Sequence, residues 1–192
     1  MSEQAAPPIT YAGYLALDEI LGGQRPLSEH HDELLFIVVH QTKELWLKQI
    51  IAEIGYAQTE IRSGRLVPAY KSLARVSRIQ SVMTQSWDVL ATMTPADYLQ
   101  FRGGLGTSSG FQSDQFRRLE FMLGLKDPAF LKHHQDRPAA HAELERALHA
   151  PSLYDDALAQ LAAQGAPVPK EALNKPPTEP HRPSAEIEAA WL

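Results

Sequence analysis

The chain has 192 residues, 44% of them hydrophobic and 21% charged, enough apolar material for one packed domain. Its net charge of −5 and scattered arginines leave no basic footprint for nucleic acid, and the absence of cysteine excludes disulfides, a cysteine nucleophile and thiolate metal centres. With no signal peptide and no apolar run of membrane-spanning length, a soluble cytoplasmic protein with no membrane partner is the expectation.

Residues 1–9 read as a flexible polar leader. Tyr11 to Leu21 follow as a short amphipathic segment stopped by Gly22 and Gly23, with Tyr11, Tyr14, Leu15 and Leu17 forming an apolar face. HHDELLFIVVHQTKELWLKQIIAEI, residues 30–54, contains neither proline nor glycine and predicts one long helix, capped by Ser28 or Asp32. Leu34, Leu35, Ile37, Val38, Leu45, Trp46, Ile50, Ile51 and Ile54 cover more than one stripe of it, the pattern of a central helix packed on several sides. One ionisable ring, His40, lies in that run with Phe36 four residues earlier on the same face, so His40 reads either as a core histidine or as a proton acceptor in a dry pocket. Glu44 also lies one turn from His40, a hydrolase-like pairing without a credible nucleophile. His30, His31, Asp32 and Glu33 are consecutive, point in different directions and cannot converge on one metal ion.

Gly64 marks a turn, and LVPAYKSLARVSRIQSVMTQSWDVLATM predicts a second long helix. Tyr70, Leu73, Val76, Ile79 or Gln80, Met83, Trp87 and Leu90 are its expected core face; Lys71, Arg75 and Arg78 are its solvated face. Thr94, Pro95 and Asp97 signal a new helix start, which sets Tyr98 and Arg102 one turn apart on a common face. An arginine fork suits a carboxylate, and the following GGLGTSSGFQS supplies a backbone that can approach a ligand closely. That stretch lacks the G-x-x-x-x-G-K-[ST] spacing of a phosphate loop. FQSDQFRRLEFMLG predicts a helix with Phe116, Leu119 and Leu123 inward and Gly124 at its end. DPAFLKHHQDRP reads as a connector, PAAHAELERALHA and PSLYDDALAQLAAQ as two amphipathic helices, the second stopped by Gly165, and His133, His134, His141 and His149 as solvent-side residues.

The expected fold is all-α: a helical bundle of five or six helices, two of them long and antiparallel, over residues 10–165. Residues 166–183 carry six prolines and read as an extended or irregular connector. Ser184 caps the start of a further helix, 184–192, that looks cut short.

HHDELLFIVVHQTKELWLK and RGGLGTSSGFQSDQFRRLE together resemble the two signature stretches of the tryptophan 2,3-dioxygenases, haem enzymes that open the indole ring of L-tryptophan with O₂ to give N-formylkynurenine in the kynurenine pathway of tryptophan catabolism. The similarity runs from about residue 10 to 173. It implies that Phe36, Ile37, Val38, Val39, His40, Tyr98 and Arg102 contact substrate, Arg102 through the carboxylate and His40 through the indole N–H as base or orienting group. It further implies that Tyr11, Tyr14 and Leu15 reach into a neighbouring subunit of a homotetramer. The family's proximal haem histidine and its ammonium-binding segment have no counterpart in these residues, so no metal ligand is nominated and His181 is passed over. A haem-free oligomerisation or aromatic amino-acid binding module is the alternative.

Overall fold

The computed structural model describes residues 9–191, so most of the expected leader lies outside the described residues. The fold is all-α, with ten helices and no strand among the described residues. None of these helices is long and apolar enough to cross a membrane.

The expected first segment is two short helices, α1 (Tyr11–Leu15) and α2 (Leu17–Leu21), broken at Ala16, whose φ of 49° lies in the left-handed region. Neither buries a residue; Tyr11 and Tyr14 are 78% and 76% exposed. The link behind them is tied down: Gln24 Nε2 donates to Gln41 Oε1 and Gln41 Nε2 to the Gly23 carbonyl.

The central element is α3 (His31–Arg62), longer than its apolar pattern suggested because Gly55 lies within it rather than ending it. Its cap is not Ser28 or Asp32. His30 occupies the cap position, and the buried Glu33 carboxylate three residues on accepts from the Leu27 and Ser28 backbone N–H groups at 2.7 and 2.8 Å and from the Ser28 hydroxyl. Those bonds lower the Glu33 pKa, the Leu27 N–H foremost. At the far end Gly64, at φ 72°, lets its own N–H reach the Ile61 carbonyl and that of Arg65 reach Glu60, which closes the helix within three residues. A residue with a Cβ would be strained at that angle. The turn returns the chain antiparallel as α4 (Leu66–Leu90).

The α3–α4 hairpin carries the main core, Leu47, Ile50, Ile51, Ile54, Val76 and Ile79, sealed by Leu119. One polar contact pins its register. The buried Glu53 carboxylate accepts from Ser72, Gln49 and Arg75, bonds that outweigh the upward push of burial and hold it ionised. Arg75 is therefore a partner of α3 as well as a solvated charge. The expected core face of α4 is only partly buried: Val76 and Ile79 are inside, whereas Tyr70 and Trp87 are 61% and 56% exposed.

Thr94 and Asp97 form a reciprocal capping box that opens α5 (Pro95–Arg102), as their spacing predicted. Two 3₁₀ turns, Gly103–Leu105 and Gly110–Gln112, lead to α6 (Asp114–Leu123). Its inward residues are Arg117, Leu119 and Phe121; Phe116 and Leu123 are on the exposed side. The connector after it forms a 3₁₀ helix, Pro128–His134, that buries His134, in contrast to the exposed His133 and His149 and the half-buried His141. Helices α7 (Pro138–His149) and α8 (Leu153–Ala163) complete the bundle, with Phe121, Leu144 and Leu148 forming a second core cluster.

The proline-rich stretch, expected to be extended or irregular, is not without a helix. It contains α9 (Lys170–Asn174), and Ser184 caps α10 (Ala185–Ala190). Asp155 of α8 gathers this region: its carboxylate closes the Ser152 capping box, binds His181 Nε2 at 2.5 Å and has Lys175 Nζ at 3.4 Å. Burial pushes this acid up, but the Ser152 hydroxyl and N–H, His181 and Lys175 together bring it to about 2.

Candidate active site

Helix α3 projects Phe36 and His40 from one face, and α5, opened by the capping box at Thr94, brings Tyr98 and Phe101 against Phe36. The ring of Phe36 lies 4.1 Å from that of His40, 5.8 Å from Tyr98 and 5.6 Å from the buried Phe101, centroid to centroid. The rings of Phe36, His40 and Tyr98, with Phe101 packed behind them, line one wall of a cleft of about 1140 Å³ whose rim includes Arg102 and Thr107 to Gly110. Ile37, Val38 and Val39, expected at the same site, leave that wall to Phe36 and His40: Val39 is buried in the bundle and Val38 is 42% exposed on another face.

His40 Nδ1 lies 2.7 Å from the Phe36 carbonyl. A carbonyl only accepts, so Nδ1 carries the proton, and in the neutral ring Nε2 is left as an acceptor. The His40 and Glu44 pair of the hydrolase reading does not form; Glu44 is engaged by Gln115, which donates to its carboxylate at 2.7 Å and its carbonyl at 2.9 Å. The half-buried Arg102 uses one nitrogen, Nη1, on the Gly106 carbonyl at 2.9 Å. That bond fixes the guanidinium against the glycine turn and leaves other N–H groups for a ligand.

A second cleft of about 690 Å³ adjoins the first across His40. Its walls are mainly apolar, from Leu47, Ile50, Met83, Trp87, Phe116 and Leu119, so Trp87, expected as core, stands at a cavity instead. Lys43 Nζ lies over the Trp87 ring, 2.9 Å from its centroid, and is shielded from solvent without a hydrogen-bond partner. Sequence reading passed over Lys43 because a lysine on a long helix looks like a solvated charge. Among the described residues no cluster of histidine and acidic side chains is arranged to hold a metal ion.

The family model for tryptophan 2,3-dioxygenase matches residues 2–192. The chain belongs to the tryptophan 2,3-dioxygenase family. Among curated relatives of that name it is 64% identical to the protein of Caulobacter vibrioides over 97% of this chain and 71% of the relative. It is 52% identical to that of Bacillus thuringiensis strain Al Hakam over 96% of this chain and 66% of the relative, and 50% identical to that of Burkholderia pseudomallei strain 668 over 96% and 60%. The chain thus spans about two thirds of the length of these dioxygenases.

Proposed function

We propose that this protein is a tryptophan 2,3-dioxygenase in which residues 10–165 carry the substrate side of the site. The observation that carries the reading is the convergence of Phe36, His40, Tyr98 and Arg102, from two helices, on one cleft. Stacked aromatic rings suit a planar indole, the Nε2 lone pair of His40 suits its N–H, and a guanidinium anchored on one nitrogen suits an amino-acid carboxylate. Arg102 binds the carboxylate, Phe36 and Tyr98 hold the indole flat, and His40 accepts from the indole nitrogen.

The adjoining apolar cleft fits haem: Met83, Trp87 and Phe116 would face a porphyrin, with His40 between ring and substrate. Bound there, haem would supply activation of O₂ toward the indole double bond. The axial ligand is not assigned to these residues, and His181 is already bonded to Asp155. The chain's own part is to position the indole, neutralise the carboxylate and keep water from the reacting face. The reading includes a cytoplasmic homotetramer; the exposure of Tyr11, Tyr14 and part of α1 supports their use against another copy.

The deciding experiment is turnover of L-tryptophan by the haem-loaded protein, followed by N-formylkynurenine absorbance. Product formation that requires haem and O₂ supports the reading. Tryptophan binding without haem and without turnover would favour an aromatic amino-acid binding module.

A further inference from the structure

The apolar cleft is bordered by the buried Arg117 and by the half-buried Lys43, whose amine is shielded from solvent, two cations in different electrostatic situations. Arg117 is matched: its Nη1 lies 2.7 Å from Glu120 Oε2, and its guanidinium sits 5.0 Å from the Phe116 ring and 4.5 Å from that of Phe130. Lys43 has no such counter-charge. Its amine has neither a hydrogen-bond nor an ion-pair partner among the described residues, and the face of Trp87 is its one attractive contact. A shielded ammonium without an anion is costly, and burial here lowers its pKa. Lysines with nothing to hold normally extend to water. This one instead borders a cavity whose remaining walls are mostly hydrocarbon and aromatic.

The complement of that arrangement is a large flat apolar body with an anionic group at its edge. Tryptophan is an unsuitable source of the anion, because in the reading above its carboxylate goes to Arg102, which lines the other cleft and not this one. Lys43 also stands three residues after His40 on the same helix, which puts it on the ring side of that histidine.

We infer that Lys43 is an anchoring residue for a peripheral carboxylate of haem, and that it gives the site a preference for the free-acid porphyrin over an esterified one. This rests on the haem reading above. Trp87 serves a double role, as a wall for the ring and as a π-surface that holds the amine in place until the carboxylate arrives.

The test is a Soret titration of haem-free protein with ferric haem and with its dimethyl ester, using wild type, Lys43→Met and Lys43→Arg. Wild type should bind the free acid about tenfold or more tightly than the ester. Lys43→Met should bind both with the ester's affinity, and Lys43→Arg should restore the preference. The thermal midpoint of the haem-free Lys43→Met protein should be no lower than that of wild type, since the substitution removes a buried unpaired charge. Equal binding of acid and ester by wild type overturns the inference and leaves the haem reading standing; that comparison needs no variant to fold. Retention of the preference in Lys43→Met also overturns it, as does a loss confined to tryptophan affinity. Failure of wild type to bind either porphyrin overturns this inference and the haem reading together.

Discussion

His40 donates through Nδ1 to the carbonyl of Phe36, the same residue whose ring it contacts at 4.1 Å, so the ring that would flank the indole and the atom that would meet its nitrogen are set by one helical turn. His40→Ala removes the acceptor and leaves the core clusters untouched. Turnover should fall by about a hundredfold if His40 takes the proton, and by much less if it only orients substrate. Unchanged circular dichroism must accompany either result, because loss of folding would return His40 to a core role. Pairing the variant with N1-methyltryptophan completes a cycle: a penalty from methylation that persists undiminished in His40→Ala would show that the histidine does not address the indole nitrogen.

Arg102→Leu should weaken L-tryptophan binding by about 2 to 5 kcal/mol. Tryptamine, which lacks the carboxylate, should bind wild type and variant alike. Isothermal titration with both ligands measures the difference, and an equal loss for tryptamine would mean that the guanidinium shapes the glycine turn through Gly106 rather than holding the acid.

Tyr11 and Tyr14 stand away from the body of their own chain. Tyr11→Ala combined with Tyr14→Ala should therefore leave the helical content intact while lowering activity. When co-expressed with Arg102→Leu chains, the two inactive proteins should regain activity as mixed oligomers, since one supplies the intact cleft and the other the intact arm. If mixing restores nothing while mixed oligomers form, the arm serves its own chain.

Asp155 is more acidic in the folded chain than out of it, at about 2 against an ordinary value near 3.8. A carboxylate with a depressed folded pKa contributes stability that is present in full above about pH 4 and disappears as pH falls toward 2. Wild type should accordingly lose roughly 2 kcal/mol through this residue across that window. Asp155→Asn should be less stable at pH 6 and show a flatter decline between pH 4 and 2, as measured by urea midpoints. Parallel curves would assign the acid sensitivity to the other bonded carboxylates, Glu33 and Glu53 among them.

Local chemistry was legible in the sequence wherever it was short-range. The Thr94 and Asp97 box, the glycine stops at Gly64, Gly124 and Gly165 and the two long helices each follow from residues within a few positions of one another. The juxtaposition of Phe36 and His40 follows from helical spacing, and that of Tyr98 and Arg102 does too; that the two pairs share a cleft depends on how α5 packs against α3, which spacing does not report. The misreadings have a common cause. The segments' own periodicity or polarity places Trp87, Phe116 and His134, while their burial is decided by what lies opposite: the apolar cleft for Trp87 and Phe116 and the bundle for His134. The glycine-free stretch that predicts the central helix stops at Ile54, yet Ile54 and Ala57 on either side of Gly55 are anchored in the core and the helix continues through it.

Helix α3 carries Phe36 and His40 near one end and Leu47 to Ile61 of the core toward the other, without interruption. Each residue of an α-helix advances the direction of its side chain by about 100°. A single insertion or deletion between His40 and Leu47 would swing the whole Phe36 and His40 face away from α5 while the core stayed in register. The length of this stretch is therefore frozen, and over evolutionary time the pocket can be retuned by exchanging side chains at fixed positions but not by adding or losing one.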